Sequence, residues 1–137
     1  MLNKIDHIGI AVNDLQAAMK TYESFLGLKC LRTEEIPSEQ VIAAFLEIDN
    51  VAIELLQPIG NEGTLIRFLH DRGEGIHHIA FETTDIDLQL KDAEAAGCQL
   101  IRGLPQKGAR EKNIAFLHPH STHGVLIEFC SALKIHT

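Results

Sequence analysis

The sequence is poor in cysteine, and the few cysteines it has are badly placed for cross-linking. Cys30, Cys98 and Cys130 are odd in number and widely spaced, and no CxxC pair occurs. This pattern argues against a disulfide framework and against a thiolate zinc knuckle. We interpret the three residues as small members of the core.

Long hydrophobic runs and an excess of basic residues are also missing. No apolar stretch approaches the roughly 20 residues that cross a bilayer, and the N-terminal residues lead into a strand-like pattern instead of a signal peptide. The formal net charge of -7 disfavours nucleic acid and anionic membranes as partners. We therefore expect a cytoplasmic protein that binds a small molecule, with no nucleic-acid or membrane partner.

An internal repeat is the strongest feature that is present. Asp6–Leu15 resembles His77–Ile86 at a constant offset of 71 residues. A helical pattern follows each segment and ends before a glycine: Leu15–Leu26 before Gly27, and Ile86–Ala96 before Gly97. The same strand and helix are therefore predicted twice.

A second repeated pair completes each half. Val51–Leu55 resembles Val125–Phe129 at an offset of 74 residues, a small slip that intervening hairpins can absorb. Each half then contains one strand, one helix and three strands. The other strands are predicted over 29–34, 40–48, 99–102 and 113–117, the last strand over 124–130, and a short linking helix over 63–72.

These patterns predict one α+β domain over residues 1–137, because the chain is short for two large cores. Its two tandem βαβββ modules, roughly residues 3–60 and 74–131, should form an eight-stranded incomplete barrel around a metal site. The helices should cover the outside of the sheets.

The alternation of strand side chains predicts that metal site. His7 shares a strand face with Gly9 and the equivalent His78 with Ala80, so small residues leave room beside each histidine. Glu54 and Glu128 occupy matching positions in the closing strands. Buried carboxylates need a compensating cation, and imidazole with carboxylate suits Mn, Fe, Co, Ni or Zn.

A simpler interpretation exists for each of these residues alone. A single histidine on a strand is more often a partly buried structural residue, and a single glutamate is usually a surface charge. Four residues related by one repeat favour one divalent metal ion instead. His77 has the opposite parity to His78 and is interpreted as facing the helix side or as peripheral. The histidines without a repeat partner are interpreted as structural or surface residues: His70, His118, His120, His123 and His136.

The sequence resembles the vicinal oxygen chelate superfamily, and within it the epimerases of methylmalonyl-CoA. The resemblance covers nearly the whole chain and rests on five stretches: residues 6–12 (DHIGIAV), 53–58 (IELLQP), 73–81 (GEGIHHIAF), 114–118 with Pro119 (IAFLHP) and 124–128 (GVLIE). It implies paired βαβββ modules and a homodimer.

The resemblance also implies a site and a reaction. The metal ligands of the family fall on His7, Glu54, His78 and Glu128, with Co or Mn favoured as the ion, and Glu128 serves as an acid/base group as well. The implied enzyme is an isomerase that interconverts (2R)- and (2S)-methylmalonyl-CoA by removing and returning the C2 proton through an enediolate.

The sequence departs from the family pattern where a second catalytic glutamate is expected, because Ala43 occupies that position. Glu39 and Glu47 lie nearby and are candidates on proximity alone. Lys107 and Arg110 add positive charge to a loop that could meet coenzyme A phosphates, although an ordinary solvated loop fits the pattern equally well.

Three other functions fit the same fold. A metal-dependent glyoxalase I (lactoylglutathione lyase) would use the same ligands and the same proton chemistry. A non-catalytic binding module would typically lack the metal, so the complete ligand set argues against it. An iron extradiol dioxygenase usually uses two histidines and one carboxylate.

Overall fold

The computed structural model describes residues 2–132. They divide into two compact units, which we call the first unit (7–77) and the second unit (2–6 with 78–132). The chain thus passes from one unit to the other twice, between Asp6 and His7 and between His77 and His78. Among the described residues, no helix is long and apolar enough to cross a membrane.

The first unit contains one βαβββ module followed by a short helix. Its elements are β1 (Leu2–Ala11, which enters this unit at His7), α1 (Leu15–Leu26), β2 (Lys29–Ile36), β3 (Val41–Ile48), β4 (Val51–Pro58) and α2 (Thr64–Arg72). The strand order is β2-β3-β4-β1, and β1 runs parallel to β4.

Helix α1 begins and ends where the sequence predicts. The Asp14 side chain accepts a hydrogen bond from the Ala17 N–H, which satisfies a backbone donor of the first turn. Gly27 closes the helix in the left-handed conformation, with φ of 69°. The helix packs on the sheet through a buried cluster of Val12, Leu15, Ala44, Leu46 and Leu55.

The second unit repeats the module. Its elements are β5 (Gly75–Thr83, which enters this unit at His78), α3 (Ile86–Ala95), β6 (Leu100–Lys107), β7 (Lys112–Leu117) and β8 (Ile127–Ala132). The strand order is β5-β8-β7-β6, and β5 runs parallel to β8. The Asp85 side chain caps α3 by accepting from the Leu88 N–H. Behind α3 lies the cluster Ile86, Leu90, Ala115, Leu117 and Phe129.

The strand register shows that the repeat is structural as well as sequential. Gly9 pairs with Glu54 across β1 and β4, and Ala80 pairs with Glu128 across β5 and β8. Phe45 lies on the other side of Glu54, as Phe116 does for Glu128. Each glutamate therefore sits between a small residue and a phenylalanine, and the two predicted βαβββ modules are confirmed.

Two predicted strands have wrong boundaries. β6 was expected to end at Arg102 but continues to Lys107, with its pairing to β7 interrupted between Ile101 and Gln106. Arg102 and Gly103 adopt positive φ values of 70° and 74°, which bends the strand out of the ladder before pairing resumes.

The last strand begins later than expected, at Ile127 instead of Gly124. The Gly124 N–H donates to the Pro119 carbonyl, and the Thr122 hydroxyl donates to the carbonyl of Val125. These bonds hold Gly124 and Val125 in a turn, so the chain joins the β7–β8 ladder only at Ile127.

Candidate metal centre

His7 and Glu54 form a buried pair in the first unit. The two residues lie on parallel neighbouring strands, and their exposed fractions are 5% and 3%. Gly9, opposite Glu54, has no side chain to fill the space beside the carboxylate. As a result, His7 Nε2 and Glu54 Oε2 approach to 2.6 Å.

The geometry of this pair fits two ligands of one cation. Glu54 Oε2 is buried, and no donor among the described residues makes a hydrogen bond to it. A buried carboxylate oxygen left in this state is costly, whereas a divalent ion would compensate both groups. Imidazole and carboxylate together suit Mn, Fe, Co, Ni or Zn.

His78 and Glu128 form the equivalent pair in the second unit. His78 Nε2 lies 3.4 Å from Glu128 Oε1, and the residues are 6% and 4% exposed. The Phe116 ring packs edge-on against the His78 imidazole, with 6.1 Å between ring centroids. Phe116 thus shields the pair on the side of β7, and the donor set again suits a divalent cation.

The four predicted ligands form two His–Glu pairs, one within each unit. All four side chains are buried at strand positions related by the repeat. The remaining histidines of the described residues have other surroundings: the His118 and His120 rings stack on each other at 4.5 Å, and His70 pairs with Asp71 at the surface. His136 lies outside the described residues.

A buried charged cluster was missed by the sequence analysis. Asp6 is 2% exposed, and its carboxylate accepts hydrogen bonds from Arg110 Nη2 and from Lys112 Nζ, the latter at 2.7 Å. Lys112 Nζ also lies 3.9 Å from Glu82 Oε2. The two cations and two carboxylates carry no net charge, so this cluster stabilises itself and does not attract anions.

This cluster bears on the residues expected to meet coenzyme A. Arg110 is half-buried and occupied by Asp6, whereas Lys107 is exposed at the end of β6. The contact of these two residues with phosphates stays a prediction. No local or periodic signal in the sequence points to this cluster, because Asp6 lies 104 residues from Arg110.

Two other titratable groups next to the predicted ligands stay neutral near pH 7. Burial raises the pKa of the Cys130 thiol, and the negative charges of Asp6 and Glu128 raise it further. Cys130 is 1% exposed, which agrees with its interpretation as a core residue. Burial, and then the nearby Arg72, lowers the pKa of His77 to about 4.

The surroundings of His77 place it away from the strand face of the ligands. Its imidazole packs edge-on against the Phe68 ring of α2, with 4.9 Å between ring centroids. The expectation that His77 faces the helix side is therefore confirmed.

The candidates for a second proton-transfer group occupy different surroundings. Ala43 is fully buried and pairs with Leu56 on β4. Glu47 is exposed near the end of β3, and Glu39 is half-buried in the 3-10 turn Pro37–Glu39. Neither residue therefore combines a place in the sheet with burial as Glu54 and Glu128 do.

Comparison with known proteins identifies relatives over nearly the whole chain. Residues 6–116 match the Glyoxalase/Bleomycin resistance protein/Dioxygenase superfamily. An uncharacterized protein of Bacillus subtilis is 40% identical over 94% of this chain and 92% of its own length. The ethylmalonyl-CoA/methylmalonyl-CoA epimerase of Cereibacter sphaeroides is 35% identical over 93% of this chain and 97% of its own length.

A solved structure agrees with these sequence relatives. A variant of the Streptomyces coelicolor methylmalonyl-CoA epimerase, in complex with 2-nitronate-propionyl-CoA, superposes with a TM-score of 0.94 at 34% identity. The match covers 100% of this chain and 99% of that chain. The predicted fold class is therefore confirmed.

Proposed function

The chain belongs to the Glyoxalase/Bleomycin resistance protein/Dioxygenase superfamily, and we propose that it is a metal-dependent methylmalonyl-CoA epimerase. The named relatives that match over most of their own length are epimerases, so the predicted enzyme class, an isomerase, is confirmed. Relatives that act on or bind acyl-CoA compounds support the choice of substrate.

We propose that one divalent ion, Co or Mn in the first instance, is held by His7, Glu54, His78 and Glu128. The observation that carries this proposal is the pair of buried His–Glu contacts, 2.6 Å in the first unit and 3.4 Å in the second. Four protein ligands in an octahedral shell leave two positions for substrate oxygens.

A bound divalent ion would supply Lewis-acid stabilisation for the negative charge that develops on the thioester oxygen. The protein supplies the rest of the chemistry. We propose that Glu128 takes or returns the C2 proton, and its burial beside Phe116 supports this role. Exclusion of water strengthens each electrostatic contact in the site and protects the carbanionic character at C2 from solvent protons.

The test is proton exchange at C2. Purified protein loaded with Co or Mn should exchange the C2 proton of methylmalonyl-CoA with D2O and interconvert its (2R) and (2S) forms, as followed by NMR and chiral analysis. Glu128→Gln should abolish exchange while the metal content is retained. Metal-dependent turnover of methylglyoxal with glutathione, without C2 exchange, would instead identify a glyoxalase.

Metal content tests the ligand assignment separately. His78→Ala should lower the bound metal per chain, whereas His70→Ala should not, because His70 pairs with Asp71 at the surface. An active His78→Ala protein with full metal content would contradict the assignment. The resemblance to the family also leads us to propose a homodimer, which light scattering of the loaded protein will test.

A further inference from the structure

The pairing of β2 with β3 places a second glutamate beside the position where the family pattern is broken. Ala43 pairs with Glu34 on β2 and with Leu56 on β4. Residues that pair directly across strands project to the same face of a sheet. Glu34 therefore projects to the face on which Ala43 lies, one strand away.

The next set of directly paired residues on these strands includes Glu54, a proposed metal ligand of the first unit. Phe45 pairs with Glu54 on one side and with Arg32 on the other. Arg32 and Glu34 are two residues apart on β2, so both lie on the face that carries Glu54. Glu34 is thus on the ligand face, whereas its neighbour Glu35 points to the opposite face.

Ala43 is the direct strand neighbour of Glu34 and has a short side chain. Ala43 is fully buried and contributes only a methyl group. The Cβ atoms of directly paired residues lie about 4.5–5.5 Å apart, so a glutamate on β2 can extend over a neighbouring alanine. The Glu34 side chain is 29% exposed, which leaves it accessible to a bound substrate.

Arg32 holds the Glu34 carboxylate in place. Arg32 Nη2 lies 3.0 Å from Glu34 Oε1, and the guanidinium carbon lies 5.0 Å from the centre of the Phe45 ring. Because Phe45 is the neighbour of Glu54, this contact fixes the guanidinium between the ring and Glu34.

We propose that Glu34 is the second acid/base residue of this enzyme and replaces the glutamate that is missing at Ala43. This inference rests on the proposed epimerase function. Glu34 and Glu128 act on opposite faces of C2. As Glu34 takes the proton from one epimer, the electron pair of the C–H bond moves into the thioester carbonyl.

Each turnover removes one proton from C2 and returns one to C2, and exchange with water then restores the starting protonation states of Glu34 and Glu128. Protonated Glu128 returns its proton to C2 from the other face, the electron pair re-forms the C–H bond, and the opposite epimer leaves. Glu34 ends protonated and Glu128 ionised, which is the state required for the reverse reaction. No oxidant or further reactant is consumed.

Each pure epimer, incubated in D2O with Glu34→Gln, tests the assignment. The substitution should slow interconversion roughly 100-fold or more, the usual contribution of a positioned acid/base group. One epimer should still exchange its C2 proton through Glu128 without inverting, and the other should not exchange. Glu47→Gln is the matched control, because Glu47 is an exposed glutamate of the neighbouring strand, and it should retain wild-type rates and wild-type exchange of both epimers.

Metal content, thioester binding and a rescue variant complete the test. Glu34→Gln should keep the wild-type metal content and bind the CoA thioester within about threefold of wild type. When Ala43→Glu is added to Glu34→Gln, the rate of interconversion should rise at least tenfold above that of Glu34→Gln alone. Interconversion by Glu34→Gln within threefold of wild type, equal slowing of exchange from both epimers, or a folded and metal-loaded double variant without recovery would each overturn the assignment. Absence of exchange by the wild type would refute the epimerase function itself.

Discussion

Replacing Asp6 with asparagine should destabilise the protein more than removal of any surface charge. The Asp6 side chain is 1% exposed and binds both Arg110 and Lys112. Asparagine has nearly the same shape but no charge, so it leaves two cations facing a neutral amide. The substitution therefore measures the electrostatic part of the cluster and leaves its packing in place.

The size of the effect follows from the burial of the three groups. Breaking a fully buried ion pair costs about 3–5 kcal/mol. Here the cations are 26% and 20% exposed, so water compensates part of their charge when the partner is lost. We expect Asp6→Asn to lower the free energy of unfolding by about 2–3 kcal/mol.

The measurement is urea unfolding at pH 7 with EDTA, which separates folding from metal binding. Glu82→Gln is the matched control, since Glu82 lies 3.9 Å from the same lysine but its side chain is 31% exposed; it should cost less than about 1 kcal/mol. The reasoning fails if Asp6→Asn costs less than about 1 kcal/mol or if both substitutions have equal effects.

Three further predictions concern the folded state without metal. Gly108→Ala should cost about 1–3 kcal/mol in urea unfolding, because an added Cβ would lie 2.6 Å from the Ile114 side chain; unchanged stability would contradict this packing. Asp14→Ala and Asp85→Ala should each cost about 1 kcal/mol by loss of a helix N-cap, and two unaffected variants would refute the capping role. The lowered pKa of His77, about 4 against 6.5, means that the unfolded chain binds more protons between these pH values. Stability should therefore fall as pH drops through that window, by at most about 3 kcal/mol, and a His77→Phe protein that loses as much stability over the same window would contradict the assignment.

The four proposed ligands could be identified from the sequence because their signals are local and occur twice. His7 and His78 alternate with small residues in both copies, and the repeat relates Glu54 to Glu128 without any knowledge of the pairing. The strand register then agrees in both units. Helix α1 was equally predictable, since its cap at Asp14 and its terminal Gly27 are adjacent in sequence to the helix itself.

The features that were missed depend on distant partners or on backbone conformation. Asp6 is 104 residues from Arg110 and 106 from Lys112, and no periodic pattern links such positions. The break in β6 depends on Arg102 in a left-handed conformation, which non-glycine residues adopt uncommonly. The place of Glu34 beside Ala43 depends on the β2–β3 register, which contains a shift between Cys30 and Arg32 that sequence alternation does not reveal.

The residue before each ligand histidine shows which positions of the duplication could diverge. Asp6 is charged and is compensated by Arg110 and Lys112. Its equivalent His77 is neutral near pH 7 and packs against Phe68. Burial at this position requires only a partner that satisfies the side chain, so different residue types can serve. A metal ligand has no such freedom, because only a few side chains supply a lone pair at the required place. This difference would explain why the two copies both carry His and Glu at the proposed ligand positions while the strand segments that lead to the two histidines are held by unrelated contacts.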